Sequence, residues 1–226
     1  MKRIIISDTH IGSKYYKEEE LICFLSSVEY DQLILNGDII ELLKMPEFSK
    51  RIKNLIEAIN FSKEIIYIVG NHDVFLKNFV GQEIFGIKFV DKYEFQEKGK
   101  KFRIEHGDAY DEHLVLVQNQ VFMSFLSLIQ YHLEKWLDLD LSSWFVNWRL
   151  KRRKFLRVWD IMNVNLDVDV LVCGHFHVPE CIIWVQPNQE IKTYVNSGDW
   201  VSHTTYIQID DDQVRLKEWK SGNTDN

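Results

Sequence analysis

The sequence predicts an α/β protein of two β-sheets covered by helices, with a helical insertion in its second half. Three observations lead there. Over residues 2–69, short apolar, β-branched runs alternate with segments of helical spacing. After residue 165 only short strand-like runs remain. Between these regions, residues 114–160 contain neither Gly nor Pro and hold four of the seven tryptophans.

Residues 2–7, with Ile4-Ile5-Ile6, have the pattern of a buried strand. Residues 17–29 place Leu21, Ile22, Phe24, Leu25 and Val28 at helical spacing. Residues 33–36 form the next strand, and 47–60 a second helix with Phe48, Ile52, Leu55, Ile56 and Ile59. Residues 65–69 complete a β-α-β-α-β series, which favours parallel strands. The apolar run Phe102 to Ile104 has the same character. Further strands are expected at 170–173, 181–185, 191–195, 204–209 and 213–219, with a frayed tail from Ser221 to Asn226. The chain is expected to be a single domain over 1–226, with an inserted helical cap over 110–165 made of two or three helices.

With 226 residues, 46% of them apolar, the chain can bury a substantial core. A formal net charge of −7 argues against generic coating of nucleic acid. Cys23, Cys173 and Cys181 are an odd set without C-x-x-C spacing, which points to a reducing compartment and a cytoplasmic location. Only three apolar residues follow Met1-Lys2-Arg3, whereas a secretory core needs roughly 7–15.

Five segments carry the chemistry: Asp8-Thr9-His10, Gly37-Asp38, Gly70-Asn71-His72-Asp73, His106-Gly107-Asp108 and Gly174-His175-Phe176-His177. Each follows an apolar run, and ligands collect at the carboxyl ends of strands in open α/β sheets. Asp8 and His10 lie two apart, as do His175 and His177, so each pair projects to one side of an extended chain. Asp38 can bridge two cations with its two oxygens, Asn71 offers a neutral carbonyl, and His106 a further imidazole. Seven candidate ligands result: Asp8, His10, Asp38, Asn71, His106, His175 and His177. Nitrogen and oxygen donors without thiolate suit Mn, Fe, Zn, Co or Ni better than Ca or Mg, and Mn is the leading choice. Seven donors exceed the needs of one open catalytic metal, and two divalent ions sharing Asp38 account for them. Such a pair, roughly 3.5–4 Å apart, clamps the oxygens of an in-line phosphoryl displacement. The neighbouring glycines let the chain turn sharply beside the ions. His72, adjacent to Asn71, is expected to point elsewhere, to be oriented by Asp73 and to protonate a leaving oxygen. His113, His132 and His203 are expected to be structural.

In this order, D-x-H, G-D, G-N-H-D, H-G-D and G-H-x-H resemble the calcineurin-like metallophosphoesterase superfamily, the match spanning residues 8 to 177. The resemblance implies a β-sandwich flanked by helices and a dinuclear site. It also implies that Asp8, His10 and His177 hold one metal, that Asn71, His106 and His175 hold the other, and that Asp38 bridges. Within the superfamily, G-D-x-x-E at Gly37 to Glu41, the insertion after H-G-D and Gly198-Asp199-Trp200 are similar to the UDP-2,3-diacylglucosamine hydrolases of lipid A biosynthesis. Those enzymes cleave a pyrophosphate and cover the acyl chains with the insertion. One position departs: His72 stands where that family usually has Arg.

The expected function is therefore hydrolysis of a phosphodiester or pyrophosphate, with an acylated nucleotide-sugar such as UDP-2,3-diacylglucosamine as the leading substrate. The alternatives are a nuclease, a cyclic-nucleotide phosphodiesterase, a phosphoprotein phosphatase, or a non-catalytic interaction scaffold that bears metal. Leu114 to Leu133 has no charged residue, and Arg149, Lys151, Arg152, Arg153, Lys154 and Arg157 follow it. Three readings of 114–160 stand side by side: an extra packed helix or dimer contact, an amphipathic cap for acyl chains, or a peripheral contact with the inner face of a membrane. A single membrane crossing is excluded, since His106 and His175 must share one site. Nucleic acid is favoured by the basic cluster and disfavoured by the acidic remainder.

Overall fold

The computed structural model describes residues 1–13, 15–41, 48–111 and 154–220. Twelve strands form two sheets among the described residues. The first sheet holds β1 (Lys2–Ile6), β2 (Gln32–Asn36), β3 (Glu64–Ile68), β4 (Glu83–Ile84), β5 (Ile87–Val90), β11 (Thr205–Asp210) and β12 (Gln213–Glu218), in the order β12-β11-β1-β2-β3-β5-β4. The second holds β6 (Lys92–Glu97), β7 (Lys100–Glu105), β8 (Val170–Cys173), β9 (Glu180–Val185) and β10 (Ile191–Asn196), in the order β6-β7-β8-β10-β9. Strands β1, β2, β3 and β5 run parallel, as do β7, β8 and β10, while antiparallel partners close the flanks. This is the mixed, two-sheet α/β architecture the sequence predicts.

Strand alternation sorts the apolar residues into layers. Ile4 and Ile6, with Leu33, Leu35, Ile65 and Tyr67, face α1 (Glu18–Ser27) and α2 (Phe48–Ala58), which contribute Leu21, Phe24, Leu25 and Leu55. Ile5, Ile34, Ile66 and Ile207 face the other way, onto Phe102, Ile104, Val170 and Val195 of the second sheet. A third helix, α3 (Lys154–Asn163), sets Val158, Ile161 and Met162 against Leu171, Cys173 and Tyr194 on the outer face of that sheet. The layers thus run helix, sheet, sheet, helix, and a strand such as β1 must be apolar on both faces. Each fully buried Ile contributes about 1.5–3 kcal/mol.

Strands β4, β5 and β6 are absent from the sequence reading. Ile84 and Ile87 flank a two-residue turn, Phe85-Gly86, in which both residues have positive φ. The expected helices across 114–160 fall outside the described residues, save for the part of α3 within that span. Among the described residues, no helix is long and apolar enough to cross a membrane. Cys23, Cys173 and Cys181 form no disulfide with one another.

Candidate metal centre

The parallel strands of both sheets end on one side of the molecule, and their loops are tied together there. Asp8 donates its backbone N–H to Gly37 O (3.0 Å), and His10 to Asp38 O (3.0 Å). Trp200 N–H reaches Asp8 O (3.1 Å), and Gly174 N–H reaches His106 O (2.9 Å). The hydrogen-bond ladder thus continues past the strands and places residues from β1, β2, β3, β7 and β8 around one centre. The turns are sharp: Asp8, His10, Asp38, His175 and His177 all have positive φ, between 47° and 60°. That conformation is uncommon outside glycine, and Asp and His tolerate it better than most residues.

Gly37 and Gly70 are among the glycines required by contact. A Cβ on Gly37 would lie 2.3 Å from His106 Nδ1, and one on Gly70 would lie 2.4 Å from Asp38 Oδ1. Backbone N–H groups fix the carboxylates. His175 N–H donates to Asp8 Oδ2 (3.1 Å), and His72 N–H donates to Asp38 Oδ1 (2.7 Å). One oxygen of each aspartate, Asp8 Oδ1 and Asp38 Oδ2, is left to face inward. In Asp38, Oδ1 accepts the His72 N–H and Oδ2 faces the ring nitrogens of His106 and His72.

Each of the four clustered imidazoles has an outer partner on one nitrogen. His106 Nδ1 meets Asn36 O at 3.0 Å, His10 Nδ1 meets Glu41 Oε2 at 3.2 Å, and His175 Nε2 meets Asp111 Oδ2 at 3.2 Å. His177 Nδ1 lies 3.6 Å from Asp199 Oδ2. A proton on each outer nitrogen leaves a lone pair on each inner one. These lone pairs meet further lone pairs. His106 Nε2 is 3.2 Å from both Asn71 Oδ1 and Asp38 Oδ2, and His175 Nδ1 is 2.9 Å from Asn71 Oδ1. His10 Nε2 is 3.4 Å from His177 Nε2, which is 3.2 Å from Asp8 Oδ1. Asp8 Oδ1 is buried and has no hydrogen-bond partner of good geometry. Acceptors crowded against acceptors repel unless positive charge, protons or metal ions, lies between them, and outer carboxylate or carbonyl partners are what metal-binding imidazoles have. The donor set fits divalent cations.

The same field acts on protons. Burial would raise the pKa of Asp38, yet the imidazoles of His106 and His72 hold it well below the usual carboxylate range. Burial also opposes charging His106, and the Asp38 carboxylate outweighs it, raising that imidazole to about 10. His177 is raised well above normal by Asp8 and Asp199 against the same burial. His175 is lowered, chiefly by burial.

All seven sequence-predicted ligands therefore converge. Asp8, His10 and His177 form one cluster, and Asp38, His106 and His175 another, with Asn71 at the second. His72 stands at the mouth with 39% of its side chain exposed, its Nε2 3.8 Å from Asp38 Oδ2. The carboxylate facing its Nδ1 is Glu41, at 3.7 Å. Asp73, assigned by the sequence to orient His72, instead accepts hydrogen bonds from the backbone of Ile39 (3.2 Å) and Ile40 (2.9 Å), beneath the Asp38 turn. Burial, then the Asp38 charge, raises its pKa to about 6. His203, expected to be structural, donates Nδ1–H to Asp199 (2.7 Å). The sequence reading misses the outer partners Asn36, Glu41, Asp111 and Asp199 as site residues. Glu41 and Asp199 are nonetheless visible in it, within G-D-x-x-E and G-D-W.

A two-sheet α/β fold with candidate cation ligands gathered at its strand ends is an arrangement suited to metal-dependent hydrolysis. Residues 1–179 match the model of the calcineurin-like phosphoesterases, and the chain belongs to that family. The chain is similar to several solved structures. Vps29 from Chaetomium thermophilum is 12% identical with a TM-score of 0.51, and the match covers 96% of each chain. The phosphoesterase YfcE from E. coli is 17% identical (TM-score 0.48, covering 95% of this chain and 91% of that one). An archaeal phosphodiesterase is also 17% identical (TM-score 0.46, covering 97% and 100%). No curated protein matches the sequence.

Proposed function

We propose that this phosphoesterase hydrolyses a pyrophosphate or phosphodiester bond with two divalent cations, Mn foremost, held by Asp8, His10 and His177 and by Asn71, His106 and His175, with Asp38 shared. The observation that carries this reading is the convergence of inward lone pairs, all but that of Asn71 on a side chain held from behind. The cations, when bound, would supply positive charge against the developing charge on the phosphoryl and leaving oxygens and would activate water. The chain's own residues do the rest. Asn36, Glu41, Asp111 and Asp199 keep the imidazoles aimed, which limits reorganisation during the reaction. His72, exposed at the mouth and within 3.8 Å of Asp38, stands where it can give a proton to a leaving oxygen.

The substrate proposed is an acylated nucleotide-sugar of the UDP-2,3-diacylglucosamine kind. The Gly37 to Glu41 and Gly198 to Trp200 motifs support it, as do the uncharged run Leu114 to Leu133 and the basic cluster after it. That region would also give a peripheral contact with a membrane surface. The test is a panel with added Mn: a phosphomonoester, a small phosphodiester, UDP-2,3-diacylglucosamine and single-stranded DNA. Cleavage of the lipid nucleotide is expected. Cleavage of DNA without it favours a nuclease, and inactivity on all four a scaffold.

A further inference from the structure

Glu41 ends the G-D-x-x-E run and has only a supporting part in the reading above. Its backbone is secured without its side chain: Ile11 and Ile40 form a parallel bridge, and Glu41 N–H donates to Ile11 O at 2.9 Å. The carboxylate is buried between two imidazoles that meet edge-on, with ring centroids 4.9 Å apart. Oε2 lies 3.2 Å from His10 Nδ1, and Oε1 lies 3.7 Å from His72 Nδ1. One ring belongs to the inner donor set, the other to the mouth. A buried carboxylate is costly unless paired, and two imidazoles flank this one.

We infer that Glu41 is a positioning residue that sets His10 and His72 in a common frame. Through Oε2 it keeps the proton of His10 on Nδ1, so that Nε2 turns its lone pair towards Asp8 and His177. Through Oε1 it holds the His72 ring over Asp38. An aspartate, one methylene shorter, could serve one ring but not both. The inference rests on the proposed function for the His72 half. Its His10 half needs only cation binding.

Two measurements test it. Titration calorimetry of metal-stripped protein with Mn alone should show two sites in the wild type. One of them should weaken about 10–100-fold in E41Q and more in E41A, with no change in H72A. At saturating Mn, turnover of a small artificial phosphodiester should fall in E41Q, but E41Q should cost nothing further in the H72A background. Thermal melting in chelator should leave E41Q close to the wild type, which separates positioning from folding. Wild-type affinity at both sites in E41Q and E41A would overturn the His10 half. An equal loss of turnover on the H72A background would overturn the His72 half. Three Mn per chain, reduced to two in E41Q, would assign Glu41, His10 and His72 to a third cation and overturn the inference as a whole. If no phosphodiester is cleaved, the calorimetry still decides the His10 half.

Discussion

Replacing Gly37 by alanine should cost the protein both stability and one cation, for one steric reason. Gly37 has φ +78°, and its new Cβ would meet His106 Nδ1 at 2.3 Å, Cγ at 2.5 Å and Cβ at 2.9 Å. To restore an ordinary 3.4 Å contact the ring must retreat by about 1 Å. The left-handed backbone costs about 1–2 kcal/mol, the overlap about 1–3 kcal/mol, and loss of the His106–Asn36 hydrogen bond about 0.5–1.5 kcal/mol. The stiffer unfolded chain returns about 0.4–1 kcal/mol. The net is about 4 kcal/mol, or a fall of about 8–16 °C in Tm for a chain of this size. Metal-ligand distances tolerate only about 0.2 Å, so the cation at Asn71, His106 and His175 should be lost. Scanning calorimetry in chelator measures the first effect and Mn titration the second. The control is a cycle with His106→Gly, where the ring is gone and Gly37→Ala should cost only about 1 kcal/mol. Equal costs in both backgrounds, or two intact Mn sites in Gly37→Ala, would refute the argument.

Three further outcomes follow from other parts of the structure. His72→Ala should lower turnover by about 10²–10⁴-fold while leaving Mn affinity unchanged, because its side chain is 39% exposed and lies outside the proposed ligand set. Trp200→Ala should destabilise by about 3–5 kcal/mol, seen in denaturant melts, since the indole is fully buried against Phe24 at 4.9 Å. Arg103 donates to Glu94 and Asp167, each at 2.6 Å, and these bonds hold both carboxylates below their usual pKa. Folded-state pKa values below unfolded ones give stability that is present above about pH 4 and lost as pH falls through the folded values. The Tm gap between wild type and Arg103→Leu should therefore be open at pH 7 and narrow towards pH 3. A gap independent of pH would remove the Arg103 pairs from the explanation.

What was legible in the sequence divides by range. Asp8 and His10 directly follow Ile4-Ile5-Ile6, and His175 and His177 follow Val170-Leu171-Val172, so a local run announces both strand and ligand. β6, Lys-Tyr-Glu-Phe-Gln-Glu, alternates half-buried with exposed residues and lacks such a run, so it was not seen. The outer partners are contacts between distant segments: Asp111 with His175, Glu41 with His10, Asp199 with His177. No local spacing encodes them. Asp73 shows the limit from the other side. Its neighbour His72 suggested a pair, yet folding sends its carboxylate under residues 39 and 40, some thirty-four positions away in the chain.

Five of the candidate ligands occupy left-handed backbone at the end of a strand. Each stores roughly 1 kcal/mol of conformational energy that a glycine at the same place would release. The protein therefore holds its donors in place at the expense of its own folding free energy. At His10 or His175, glycine should therefore cost the fold up to about 1 kcal/mol less in chelator than alanine does, while both variants bind cations poorly. Stability alone gives no reason to place aspartate and histidine at these turns, and the strain is a cost carried by the donor geometry.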